Sequence, residues 1–384
     1  MNKELNVVYI GQPTFPLGGA TSKRRRYMVD YMNRHGIKCH YLVCDFKQRG
    51  KRENPVSGYY GKCFYYDITP IAHGKQYFQF WKKGKSLLRD WYVEDGKNCL
   101  IFPTIMGVFS LPFYIYARKL GYKVIFDQVE TSYLTFNVHR LGNMLNVFIS
   151  EWFSRKAYKY SAAFVISQNL MRENESKYPG RKLCLLPNST PSLKSDSKRV
   201  IHRPLRILYS GTYAPKDGVK YLVEGFFEAR RRNLDCELIL LGKGNHEDMK
   251  VIDEIKNKDC VHYLGFVSDE ELIRQMQESD LLCMTRCNSR FANYGFPFKL
   301  SEYLATGNLV LATNIGDVCD FVKDKESAIV IPSENSQAIA DAIQFTIENM
   351  EEALRIGEGG YDVMQRYFSI DSVGQTFENF LRGL

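Results

Sequence analysis

Short apolar runs recur along the chain, separated by longer stretches in which apolar positions return every third or fourth residue. Val7-Val8-Tyr9-Ile10 reads as a buried strand, followed by a loop holding Gly18 and Gly19 and a helix from near Thr21-Ser22 to about Gly36. A second strand at Lys38–Val43 completes a βαβ opening, the grammar of a parallel sheet. Further strands are predicted at Cys99–Phe102, Lys123–Asp127, Ala162–Ser167 and Leu183–Asn188, with a helix through Phe113–Leu120. Residues 1–195 thus read as one doubly wound domain. The stretch Pro191–Arg199 has the composition of a linker, and the same grammar then restarts. Strands are expected at Leu205–Tyr209, Glu237–Leu241, Val261–Leu264, Leu281–Met284, Leu309–Thr313 and Ala328–Ile331. Helices are expected at Val219–Arg232, Asp269–Glu278 and Lys299–Thr306. The second domain spans 203–368, and a last helix, about 370–384, is expected to pack back on the first. The fold class is α/β: two Rossmann-like, doubly wound domains facing a central cleft, a preferred place for a ligand.

Length and composition agree, since 384 residues suit two domains and 45% hydrophobic with 25% charged residues is ordinary for a globular protein. Charge changes the picture more. Residues 1–200 hold 32 Lys and Arg against 14 Asp and Glu, a net +18, whereas the remainder holds 20 against 29, a net −9. The basic half, with clusters at Lys23-Arg24-Arg25-Arg26 and Lys82-Lys83-Gly84-Lys85, points to an anionic partner. No nucleic-acid module accompanies that charge, which argues against nucleic acid. The ten cysteines form no CxxC pair, so no zinc site is legible. With no secretory leader and no long apolar run, the chain reads as cytoplasmic, with the inner face of the cell membrane as an expected docking place. The segment Tyr77–Trp91, aromatic and basic, is either an amphipathic membrane contact or a buried helix with a basic rim.

The sharpest chemical signal is Gly295-Phe296-Pro297-Phe298-Lys299-Leu300-Ser301-Glu302, followed by Tyr303-Leu304-Ala305-Thr306-Gly307 and an apolar strand. Turn amides can bind diphosphate oxygens, Lys299 adds a point charge, and the Glu302 carboxylate can accept hydrogen bonds from ribose hydroxyls. Gly18-Gly19 and Gly242-Lys243-Gly244 are strand-to-helix turns of the kind that approach an anion, and each alone is equally a plain turn.

This segment resembles glycosyltransferase family 4, whose second domain carries two acidic residues separated by seven others, then Ala-x-Gly and a strand. Glu302 matches the second acid, and the Gly-Phe-Pro-x-Lys variant resembles bacterial enzymes that build surface polysaccharides. The resemblance extends to Tyr209-Ser210-Gly211-Thr212-Tyr213-Ala214-Pro215-Lys216-Asp217-Gly218, where family members hold the donor diphosphate. It also covers the Gly242/Gly244 turn, Pro187-Asn188 and Gly18-Gly19. It implies a GT-B, retaining, metal-independent, hexosyltransferase-like enzyme whose donor is a nucleotide diphosphate sugar, with no further cofactor, and whose acceptor is a glycan or lipid-linked glycan. Donor contacts are then expected from Gly18, Gly19, Gly211, Thr212, Lys216, Gly242, Gly244, Tyr294, Gly295, Phe296, Pro297, Lys299, Leu300 and Glu302.

Two positions depart from the pattern. Tyr294 stands where the first acid belongs, and Thr212 stands where many members have an arginine. Lys216 and Lys299 are the remaining basic contacts, expected to stabilise the leaving diphosphate while it takes the acceptor's proton. Asp127 and Glu130 are the polar candidates from the first domain, though Asp127 equally suits a turn cap. The competing reading, motivated by Tyr294, is a non-catalytic GT-B binding or assembly subunit.

Overall fold

The computed structural model describes residues 3–11, 15–16, 19–44, 57–69, 76–104, 110–129, 141–196, 199–245, 247 and 249–384. The chain divides into two compact units, Met1–Ser189 with Ile370–Leu384, and Thr190–Ser369.

Unit 1 runs β1 (Leu5–Ile10), α1 (Ala20–Arg34), β2 (Lys38–Val43), β3 (Ser57–Tyr60), β4 (Cys63–Asp67), α2 (Gln76–Asp90) and β5 (Lys97–Pro103). It continues with α3 (Leu111–Leu120), β6 (Lys123–Gln128), α4 (Leu141–Tyr158), β7 (Ala162–Val165), α5 (Gln168–Lys177) and β8 (Leu183–Leu185). Its sheet has the order β3-β4-β2-β1-β5-β6-β7-β8, parallel throughout except for the antiparallel β3–β4 pair. A central parallel strand has helices over both faces, so its side chains are apolar without alternation; all six residues of β1 are buried. The β3–β4 hairpin has no counterpart among the predicted strands: its Ser-Gly-Tyr-Tyr strand lies at the sheet edge with alternating exposure and lacks an apolar run.

Unit 2 runs β9 (Leu205–Thr212), α6 (Val219–Arg231), β10 (Cys236–Lys243), α7 (Lys250–Ile255), β11 (Val261–Gly265), α8 (Asp269–Gln277) and β12 (Leu281–Met284). Then come α9 (Arg290–Tyr294), α10 (Phe298–Leu304), β13 (Leu309–Thr313), α11 (Val318–Phe321), β14 (Ile329–Ile331), α12 (Ser336–Glu348) and α13 (Met350–Tyr367). Its parallel sheet has the order β11-β10-β9-β12-β13-β14. The chain order reverses between β9 and β12, which makes their carboxyl ends the switch point at which such sheets bind ligands.

The polar stretch expected to be a free linker is instead held to unit 2. Thr190 N–H donates to the Phe368 carbonyl (2.8 Å), Leu193 N–H to the Ala305 carbonyl (3.0 Å), and Lys194 Nζ meets Glu358 Oε2 (2.5 Å). Its side chains are polar because they line the surface, while its backbone is docked. The last helix, α14 (Ile370–Gly383), belongs to unit 1. Phe377 stacks on Phe164 (5.1 Å), and Tyr31 Oη donates to Glu378 Oε2 (2.7 Å). Gly374 is required there, since a Cβ would lie 2.1 Å from the Tyr31 ring.

The interior of unit 1 also contains an ion cluster. Asp127, at the end of β6, is 1% exposed and lies between Arg24 and Arg25 of α1, both equally enclosed. Arg24 Nη2 stands 3.1 Å from Asp127 Oδ1, and Arg25 Nη1 pairs with Oδ2. Arg24 further donates to the carbonyls of Leu186 (2.9 Å) and Pro187 (2.7 Å), tying α1 to the end of β8. Burial opposes ionisation of Asp127, but the two guanidinium groups outweigh it and hold the carboxyl below the usual carboxylate range. Asp127→Ala leaves two buried cations without their shared anion, and a loss of about 3–5 kcal/mol in unit 1 is expected. Urea denaturation followed by circular dichroism measures it; a loss below about 1 kcal/mol would contradict this account of the cluster.

Candidate active site

The site of unit 2 is built on two glycines. Gly211 is the next-to-last residue of β9, with φ +144°, and Gly242 holds the same place in the adjacent β10, with φ +116°; these residues pair across the sheet. A Cβ on Gly242 would lie 1.8 Å from the Gly211 carbonyl oxygen, and one on Gly211 would lie 2.3 Å from Lys299 Cε and 2.4 Å from Nζ. The missing side chains leave room for the end of the Lys299 chain, which rises from the first turn of α10 onto the carboxyl end of β9.

Tyr209 and Asp217 flank the Lys299 ammonium. Its Nζ donates to Tyr209 Oη (2.7 Å), sits 4.3 Å from the centre of that ring, and lies 3.7 Å from Asp217 Oδ1. Arg286 approaches the same Asp217 oxygen, Nε to Oδ1 being 4.0 Å, and Thr212 Oγ1 donates to Oδ2 (2.6 Å). The Lys299 side chain is 20% exposed. Burial pushes its ammonium down to about 8; Asp217 opposes the fall, while Arg286 and Lys216 add to it by repulsion. Tyr209 is driven well above the ordinary phenol range by burial and by Asp217, so it stays neutral and accepts from the ammonium.

The loop between β9 and α6 is held from behind. Thr285 Oγ1 donates to the Asp217 carbonyl (3.2 Å) and Cys287 N–H to the Lys216 carbonyl (2.9 Å). Gly218 follows at φ +67°, where a Cβ would lie 1.8 Å from the Thr285 carbonyl oxygen. Beneath, Tyr303 Oη receives the Ser210 N–H (2.9 Å), joining α10 to β9.

Of the predicted donor residues, the structure gathers Gly211, Thr212, Gly242 and Lys299 into one cluster. Glu302 lies one turn beyond Lys299 on α10, partly exposed on the same side of the helix. Lys216 is half-buried in the turn before Gly218 and also lines a pocket of about 510 Å³ with Tyr213, Val219, Tyr221 and Cys287. Gly244 lies just past β10, and Gly295 is half-buried before α10. Tyr294 ends α9, with the Arg290 guanidinium 5.6 Å over its ring. Phe296, Pro297 and Leu300 are buried; Phe296 packs on Phe321 (5.2 Å) and Phe368 (5.4 Å), so these three shape the turn and seat α10. In unit 1, Gly19 precedes α1, while Gly18 and Glu130 lie outside the described residues. Asp127, a polar candidate from the first domain that equally suited a turn cap, pairs with Arg24 and Arg25 instead. Tyr209, Asp217 and Arg286 were missed: Asp217 stands beside Lys216 in a recognised motif, but Arg286 lies in a loop with no motif.

The sheet architecture is that of the GT-B fold, two Rossmann-like α/β units in one chain. Residues 193–363 match the family model described as glycosyl transferases group 1. Among curated proteins, alpha-D-kanosaminyltransferase of Streptomyces kanamyceticus is 22% identical over 286 residues, covering 70% of this chain and 72% of that protein. A GDP-mannose-dependent alpha-(1-6)-phosphatidylinositol monomannoside mannosyltransferase of Mycobacterium tuberculosis is 25% identical over 48% of this chain, and the match spans 49% of that relative's length. Among solved structures, Anabaena HepE in complex with UDP superposes with a TM-score of 0.70 at 13% identity, covering 99% of this chain and 100% of that one.

Two cations beside turn amides suit a diphosphate. Lys299 is charged below about pH 8 and neutral above it, so affinity for pyrophosphate is expected to fall as pH rises through 8. Lys299→Arg keeps its charge and is expected to flatten that fall; titration calorimetry from pH 7 to 9 checks this, and equal slopes in both proteins would refute it.

Proposed function

We propose that this protein is a retaining glycosyltransferase that binds a nucleotide diphosphate sugar in unit 2 and transfers the sugar to a polar glycan acceptor, lipid-linked in surface polysaccharide assembly. The observation that carries the reading is the Lys299 ammonium seated over Gly211 at the switch point of the sheet. The match to group 1 glycosyltransferases over residues 193–363 supports the same class. Glu302 would accept the ribose hydroxyls, and the turn at Gly211 and Gly242 would let the diphosphate approach the backbone.

In this scheme the bond from the anomeric carbon to the diphosphate breaks first, and charge accumulates on the leaving oxygens. Lys299 and Lys216 stabilise that charge, a contribution that grows toward the transition state. The acceptor hydroxyl attacks from the same face and gives its proton to the departing diphosphate. Protein cations occupy the role that a divalent metal fills elsewhere, so transfer is proposed to proceed with chelator present.

Lys299→Ala is expected to lower the transfer rate by about a hundredfold or more, measured with labelled nucleotide sugars in the presence of EDTA. Tyr294 at the first acidic position motivates a second reading, a non-catalytic binding subunit. Nucleotide binding without turnover of any donor would favour it.

The basic unit is proposed to rest on an anionic membrane. Among the described residues no helix is long and apolar enough to cross one. Helix α2 is packed inward: Phe80, Leu87 and Leu88 are buried, and Trp91, just past its end, is buried and stacks on His40 (4.7 Å). Its outer side keeps Phe78, Lys82 and Lys83 exposed, and α4 exposes Phe148 and Trp152, with Lys156 Nζ 5.5 Å over the Trp152 ring. Such aromatic and basic pairs suit the headgroup layer. The Phe148→Ser, Trp152→Ser double variant is expected to sediment far less with phosphatidylglycerol vesicles at low salt; unchanged sedimentation would remove these residues from the contact.

A further inference from the structure

Residue 212 carries a hydroxyl where the resemblance calls for a guanidinium, and that hydroxyl is spent on Asp217. We propose that Arg286 supplies the missing charge, as a donor-diphosphate-binding residue acting from the loop that follows the neighbouring strand β12. The inference rests on the donor reading of unit 2 and names a residue which that reading does not contain.

Three observations place Arg286. The first is register: Leu281 and Leu282 of β12 stand opposite Ile207 and Leu208 of β9, and the same offset carried forward brings Arg286 level with Thr212. A guanidinium in the loop just past β12, at that height, can reach the space that one at position 212 would reach.

The second is anchorage. The Arg286 carbonyl accepts from Thr313 Oγ1 (2.8 Å), and its neighbours Thr285 and Cys287 donate to the carbonyls of Asp217 and Lys216. The loop is fixed from β13 on one side and from the β9–α6 loop on the other, so the base of the side chain is positioned before any ligand arrives.

The third is charge. Arg286 is 12% exposed, and its Nε lies 4.0 Å from Asp217 Oδ1, beyond hydrogen-bonding distance; Lys299 Nζ lies 3.7 Å from the same oxygen. Asp217 offsets one charge, while Lys299, Arg286 and the nearby Lys216 bring three. The excess is what a diphosphate would neutralise, and a planar guanidinium can bind two of its oxygens at once, which an ammonium cannot. Asp217 stands within 4.0 Å of both cations and keeps them together.

The test compares wild type, Arg286→Ala and Arg286→Lys by titration calorimetry with UDP, GDP and ADP, and with the nucleoside matching whichever diphosphate binds. Arg286→Ala is expected to weaken the diphosphate about tenfold or more while leaving nucleoside affinity within about twofold, because only the charged contact is lost. Arg286→Lys is expected to recover part of the loss. Equal loss for nucleoside and diphosphate would mean that Arg286 only supports the fold, and diphosphate affinity unchanged in Arg286→Ala would remove it from the site. Either result overturns the inference without touching the donor reading, provided the wild type binds a diphosphate. If the wild type binds none of the three, the donor reading itself falls.

Discussion

The arrangement of unit 2 depends on an ammonium group placed where a side chain is forbidden. Lys299 occupies the space that a Cβ on Gly211 would fill, and Gly211 in turn leaves no room for a Cβ on Gly242. A cation drawn from water into such a place loses hydration, which the lowered pKa of Lys299 records. Asp217, the Tyr209 hydroxyl and the Tyr209 ring restore part of what is lost. Asp217 is therefore constrained by several demands: Thr212, Lys299 and Arg286 all converge on its carboxylate, and its carbonyl is held by Thr285. Moving any one of them alters the charge presented at the switch point.

Unit 1 uses buried charge for a different end. One aspartate lies between two arginines, and Arg24 spends its remaining donors on backbone carbonyls after β8. The interactions join α1, β6 and the end of β8 across the sheet, a task that apolar packing performs without directional specificity. The basic character of this part of the chain thus has two components. Arg24 and Arg25 are turned inward, whereas Lys82 and Lys83 are at the surface, available to an anionic partner.

Most strands could be read from the sequence because parallel, doubly covered strands must be apolar along their whole length; β1 and β13 are buried at every position. Edge strands are not so constrained, and β3 left no such trace. The first unit ends at Ser189, a few residues before the expected 195, because Thr190 and Leu193 bond through their backbone N–H groups to carbonyls just after α13 and α10, and backbone bonding has no side-chain signature. Trp91 decides between the two readings left open for its segment. Just past the end of α2 it packs inward on His40, as a buried helix with a basic rim requires.

By itself the sequence determined that there would be two Rossmann-like units and marked Gly211, Gly242, Lys299 and Glu302 as site candidates, because glycines near strand ends and a lysine and a glutamate on a short helix are local patterns. Only the tertiary structure decided that Asp127 is a buried counter-ion and that Asp217 and Arg286 share the site with Lys299. Those outcomes depend on which strands lie side by side. Thr212 and Arg286 are far apart along the chain and become neighbours only when β9 pairs with β12, a juxtaposition that no local pattern of residues encodes.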